Sequence, residues 1–217
     1  SVASLFNVQN IENIIFTLNC TSACNTVLKG TLKKGDHVVV SCLEHNAVMR
    51  PLNELTKKGI SYTVANFKET DDESIIDAFR QAITGKTKLI VCVHVSNVWG
   101  IRMPIERLTA LAHIYGIDIM VDAAQSAGVL PIDVTANEID YLCTAGHKSL
   151  YGPMGTGVMI IADPDKVESL TQGGTGSSSL SIEQPSNPPD KFESGTPNLS
   201  GIVGLKSGIE FVKNLRK

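Results

Sequence analysis

Short, strongly apolar runs recur along this chain, and a helix-like segment follows most of them. That alternation limits the fold more than any other feature. Strands are expected over residues 11–18, 37–41, 60–65, 88–95, 117–121, 139–143 and 157–161. Helical patterns cover 20–29, 47–58, 71–83 and 104–115, a short helix starts over 164–170, and a last one runs over 199–215. Segment 71–83 has acids in its first turn, where the helix dipole favours them. Segment 104–115 has Pro in its first turn and sets Ile105, Leu108, Leu111 and Ala112 on one face. Strands separated by helices imply right-handed crossovers. The expected fold is therefore α/β, a mainly parallel seven-stranded sheet with helices on both faces.

Composition narrows the function classes. The 217 residues are 42% hydrophobic and carry a net charge of −3, with no basic stripe or charge block. Nucleic acid and membrane surfaces are therefore not expected partners. The longest apolar stretches are too short to cross a bilayer. The first residues lack the charged start and long apolar run of a signal peptide, so a cytoplasmic location is expected. Five cysteines, an odd number without a C-x-x-C pair, argue against disulfides. Cys42, Cys92 and Cys143 lie in or beside apolar runs and read as small hydrophobes. Cys20 and Cys24 would share a helix face, but two thiols without further partners make a poor zinc site, and no metal is expected.

In a parallel sheet, ligands collect at the carboxyl ends of the strands. Asp122, the pair Ser96-Asn97 and the pair Glu44-His45 each fall just after an expected strand, and Lys148 falls in the loop after another. A lysine amine forms a Schiff base with an aldehyde cofactor, and a carboxylate pairs with a pyridinium nitrogen. These are the two groups that pyridoxal phosphate (PLP) chemistry most needs. Taken singly, each has a plainer explanation, a loop lysine and a strand-capping aspartate. Residues 19–25 end a strand and open a helix, a ready anion site to which Thr21 and Ser22 add hydroxyls; a plain Asn or Thr cap is the simpler alternative. The glycines and serines of 173–179 lack the Gly-Lys-Ser/Thr ending of a P-loop, and the composition of 171–198 suits a long loop.

Five motifs occur in a specific order: Glu44-His45-Asn46-Ala47, residues 94–100 (His-Val-Ser-Asn-Val-Trp-Gly), residues 121–126 (Val-Asp-Ala-Ala-Gln-Ser), Gly146-His147-Lys148 with Tyr151-Gly152-Pro153, and residues 193–198 (Glu-Ser-Gly-Thr-Pro-Asn). Together they resemble the class V aminotransferase fold of PLP enzymes, specifically the cysteine desulfurase and selenocysteine lyase group. The resemblance implies that Lys148 holds PLP and moves the substrate's α-proton, and that Asp122 pairs with the pyridine nitrogen. It implies that His45 stacks on the ring and serves acid–base chemistry, that Gln125 bonds the phenolic oxygen, and that Asn97 orients the cofactor or the substrate carboxylate. Thr21, Ser22 and His147 would hold the phosphate. Gly195 and Thr196 would reach the phosphate of a neighbouring subunit, which implies a homodimer.

The resemblance also has departures. The family usually has Ser or Thr three residues before the lysine, where this chain has Ala145, so one phosphate contact is either missing or replaced by Thr144. Many members have Glu at Ser22. All 217 residues read as the PLP-binding large domain, shortened at both ends, without the small C-terminal domain that supplies a substrate-binding arginine and the sulfur-accepting cysteine. The implied activity is removal of sulfur or selenium from cysteine or selenocysteine to give alanine, with a protein as the onward sulfur acceptor and little activity for this chain alone. Another class V reaction, aminotransferase or kynureninase-like, and a non-catalytic dimerisation or binding module are the alternatives.

Overall fold

The computed structural model describes residues 1–177 and 180–215. Ser178 and Ser179 of the expected loop, and Arg216 and Lys217 at the end, lie outside the described residues. In chain order the elements are α1 (Val2–Phe6), β1 (Ile14–Thr17), α2 (Cys20–Thr31), β2 (His37–Ser41), α3 (Asn46–Thr56), β3 (Ser61–Ala65), α4 (Asp72–Ala82), β4 (Thr87–Val93), α5 (Ile105–Ile114), β5 (Asp118–Asp122), β6 (Tyr141–Ala145), β7 (Gly157–Ile161) and α6 (Leu199–Leu215).

The seven strands form one sheet in the order β1-β7-β6-β5-β4-β2-β3. Pairings from β3 through β6 are parallel, whereas β7 runs antiparallel to both β6 and β1. Every residue of β2, β6 and β7 is buried. Strands covered on both faces are apolar throughout rather than alternating, which is why these runs stand out in the sequence.

Side-chain alternation divides the core into two layers. Val39, Ile90, Ile119, Leu142 and Val158 face one side, where they meet Phe79 of α4, Leu108 of α5 and Ile209 of α6. Val38, Val91, Met120, Cys143 and Met159 face the other, against Leu28 of α2 and Leu52 of α3. Between β2 and β4 the chain's winding reverses direction. The crevice at the carboxyl ends of such neighbouring strands is where open α/β sheets bind ligands.

Three local readings need correction. The strand expected over 11–18 is confined to Ile14–Thr17, because Asn10 accepts from the Glu12 N–H and turns Ile11–Asn13 into a 3-10 helix. The helix expected over 164–170 is a single 3-10 turn, Pro164–Lys166, capped by Asp163. Helix α1 was not anticipated; its Phe6 is buried and its carbonyl accepts from the Val134 N–H. Strand β1 is an edge of the sheet, and its Phe16 N–H donates to Glu193 Oε1 at 2.6 Å.

Candidate active site

A cavity of about 270 Å³ opens at the carboxyl ends of β4, β5 and β6, beside the N-termini of α2 and α3. Seven of the expected site residues line it: Thr21, His45, Asn97, Asp122, Gln125, His147 and Lys148. Ser22, Gly195 and Thr196 line a separate cavity instead, together with Phe192 and Glu193.

Asp122 ends β5 on the floor of the first cavity and is 2% exposed. Its Oδ1 accepts the Ala124 N–H at 2.9 Å and the Cys20 thiol at 3.4 Å. Both of these bonds fall on one oxygen, which leaves Oδ2 to a donor in the cavity. The stretch after Asp122 is fixed from behind. His94 Nδ1 lies 2.9 Å from the Ser126 hydroxyl, and the Ala123 N–H donates to the Cys143 carbonyl. Burial brings the His94 imidazole down to about 4, so it is neutral near pH 7.

Lys148 sits on the loop after β6. The loop turns tightly at Gly146, where an added Cβ would collide with the Thr156 side chain. Among the described residues no ion pair engages the Lys148 amine. Ala145 lines the cavity without a hydroxyl. Thr144 does not replace it: the residue is fully buried and its hydroxyl donates to the Ala123 carbonyl at 3.3 Å.

The wall opposite is the start of α2. Gly157 brings it close, since a Cβ there would lie 2.6 Å from the Asn19 carbonyl carbon. Asn19 and Ser22 form a capping box: the Ser22 N–H donates to Asn19 Oδ1 at 2.9 Å and the Asn19 N–H to Ser22 Oγ at 3.2 Å. The Ser22 hydroxyl also donates to the Asn19 carbonyl, so it serves the helix cap and not the cavity. Among the described residues the N–H groups of Cys20 and Thr21 have no acceptor, an arrangement that suits an anion. His45 caps α3 by accepting the Ala47 N–H on Nδ1 at 3.1 Å. In the neutral ring this places the proton on Nε2, the nitrogen left for a ligand.

Two features had no role assigned from the sequence. Glu44 accepts from the Ser41 hydroxyl at 2.5 Å and from the Val93 N–H at 2.7 Å, while its buried Oε2 has no partner among the described residues. Burial pushes its carboxyl up to about 8, and the charge of Asp122 adds to the push. The sequence placed Glu44 after an expected strand and in a family motif, but gave no sign that its carboxyl is buried without a full set of partners. The second feature is a nest of thiols. The Cys20 and Cys24 sulfurs are 3.9 Å apart, and Cys24 also pairs with Cys143. The hydrogen bond with Cys24 and burial raise the Cys20 thiol, and the bond with Cys143 and burial raise Cys24. Both therefore stay protonated near neutrality and are poor nucleophiles.

All 217 residues match the family model for aminotransferase class-V. The probable cysteine desulfurase of Borreliella burgdorferi is 34% identical over 99% of this chain and 54% of its own length. That of Pyrococcus abyssi is 36% identical over 99% of this chain and 55% of its own. The apo structure of a cysteine desulfurase from Thermococcus onnurineus superposes with a TM-score of 0.90 at 32% identity, covering 99% of this chain and 55% of that one. The chain thus spans about half the length of the relatives it matches. Among the described residues no helix is long and apolar enough to cross a membrane.

Proposed function

This chain belongs to the class-V aminotransferase family, and from that premise we propose that residues 1–217 are the PLP-binding large domain of a cysteine desulfurase or selenocysteine lyase-like enzyme. Such an enzyme takes sulfur or selenium from cysteine or selenocysteine and leaves alanine. One observation carries the reading: the Lys148 amine, the buried Asp122 carboxylate and the open end of α2 line a single cavity. PLP carries an aldehyde, a ring nitrogen and a phosphate, and these three groups match them in kind.

The family resemblance supplies the roles, and the placement of these side chains in or beside the cavity supports them. Bound PLP supplies an electron sink for the pair left when the substrate's Cα proton departs. Lys148 Nζ would hold the cofactor through its aldehyde carbon and would move that proton. Asp122, with Oδ2 free of the contacts that hold Oδ1, would keep the ring nitrogen protonated. Gln125 would donate to the phenolic oxygen, Asn97 would orient the cofactor or the substrate carboxylate, and His45, fixed by its cap, would present Nε2 to the ring. The Thr21 hydroxyl, the first N–H groups of α2 and His147 hold the phosphate. Ser22 contributes through the helix cap. Gly195 and Thr196, which line a separate cavity of the same chain, serve the phosphate of a second copy in a homodimer whose sites are shared. Exposed Trp99 and Met154 offer apolar surface for such contacts. The five free cysteines suit a reducing, cytoplasmic compartment.

The test is a visible absorption spectrum of the purified chain with added PLP, before and after borohydride, with mapping of the modified peptide. A yellow species fixed by reduction onto Lys148 is expected. Absence of the species, or fixation on another lysine, would overturn the assignment. The protonated Cys20 and Cys24 make poor sulfur acceptors, and Cys42 lies outside the cavity. This chain alone is therefore expected to turn over cysteine slowly, and sulfide release as fast as that of a full-length relative would contradict that. A protein sulfur acceptor completes the proposed reaction.

A further inference from the structure

Sequence spacing offers Cys20 and Cys24 as two thiols on one helix turn. The fold adds a third donor from 102 residues away: Cys20 Sγ lies 3.4 Å from Asp122 Oδ1. The two sulfurs are 3.9 Å apart, and the three donor atoms all lie within 4.8 Å of one another. A tetrahedral zinc ion, with bonds of about 2.3 Å to sulfur and about 2.0–2.2 Å to oxygen, sets two sulfurs about 3.8 Å apart and sulfur and oxygen about 3.5 Å apart. The Cys20–Cys24 and Cys20–Asp122 spacings suit that ion, and the Cys24–Asp122 spacing, within 4.8 Å, closes onto it by a shift of about an ångström. All three residues are at least nine-tenths buried. The Ala124 N–H that bonds Asp122 Oδ1 holds the carboxylate in place, the kind of outer support that ligating carboxylates need.

We propose that Cys20, Cys24 and Asp122 form a binding site for a borderline-soft divalent cation, zinc foremost, on the floor of the cavity. Two thiolates select such an ion over magnesium or calcium. Binding releases the two thiol protons to solvent, and the two thiolates and one carboxylate then outweigh the ion by one negative charge. Cys20 and Asp122 line the cavity, so the ion enters from there, and its fourth position faces the cavity, where a water completes the tetrahedron. The site also has a consequence that rests on the cofactor reading above. The ion on Asp122 Oδ1 and the water at its fourth position fill the cavity space beside Asp122 that a pyridine ring needs, so zinc and PLP exclude one another.

Cobalt(II) alone, added to the reduced, metal-stripped chain, is the probe. One equivalent is expected to bind with tetrahedral d–d bands and a thiolate-to-cobalt charge-transfer band, both erased by zinc. Cys20→Ser and Cys24→Ala, checked for folding by circular dichroism, are each expected to weaken binding by more than ~100-fold, beyond the loss that follows removal of a merely supporting partner. Cys143→Ala is expected to keep the bands. No charge-transfer band on the parent chain, or its survival in folded Cys20→Ser and Cys24→Ala, would overturn the site. Zinc loaded first is expected to prevent borohydride from fixing PLP onto Lys148, and simultaneous binding of both would overturn the exclusion. A chain that takes cobalt as described yet never takes PLP would leave this site standing and remove the cofactor reading alone.

Discussion

The cavity floor and the loop over 171–198 are built in opposite ways. On the floor, Asp122, Ala123 and Ser126 are almost fully buried and are tied to β4 and β6 by bonds from His94 and to Cys143. In the loop, Leu180 and Ile182 project wholly into solvent. The described part of the loop is fastened instead by single polar contacts, such as the Lys191 amine to the Pro164 carbonyl and Gln184 to the Ser194 hydroxyl. The difference teaches where position is already fixed within one chain. The groups that must meet a ring to within a fraction of an ångström stand on strand ends, whereas the groups proposed to serve a second copy stand on a loop held to the sheet by few contacts, the packing of Phe192 and the bond from the Phe16 N–H to Glu193 among them.

If that contrast is right, Leu142→Ala beneath the floor should have the largest effect, about 2–5 kcal/mol of stability, read by urea unfolding. Glu44→Gln should come next. In the wild type, unfolded chains lose the Glu44 proton at its ordinary carboxylate pKa, near 4.5, whereas the folded state keeps it to about 8. The folded state therefore binds the extra proton between those values, and stability falls as pH rises across that window. The glutamine variant should lack that fall and gain a few kcal/mol at pH 8 relative to wild type, on the order set by the shift. An identical pH profile in both proteins would dissociate Glu44 from the buried floor. Asp122→Asn should weaken PLP retention by about 1.5–3 kcal/mol, the loss of a hydrogen bond to a charged group, measured by equilibrium dialysis. Smallest of all, Leu180→Ser should change stability by no more than about 0.5 kcal/mol. A large loss there would mean that the loop is packed after all.

Most strands were legible because burial on both sheet faces leaves largely apolar runs, as in Gly157–Ile161, whereas the edge strand Ser61–Ala65 was legible from its alternation. The ends were less so: Ile11 is apolar, but the Asn10 side chain bends the chain away from the sheet. Lys148 and Asp122 were legible as chemistry and as motif. The Ser22 hydroxyl was not, because its use in the helix cap depends on the geometry of Asn19. Thr144 looked like a spare donor, but alternation along β6 turns it inward to the Ala123 carbonyl. The raised carboxyl of Glu44 and the meeting of Cys20 with Asp122 had no local signal, since both depend on what the fold packs beside them.

The contact from Glu193 to the Phe16 N–H has a consequence of another kind. Strand β1 has one neighbour, β7, so its outer rim carries amide groups that a foreign strand could recruit. The carboxylate occupies one of those amides at the middle of the rim. A loop that adds little to the hydrophobic core thereby acts as a guard against strand-to-strand aggregation, and losing its grip on β1 would show first as clumping during expression, with the sheet itself still intact.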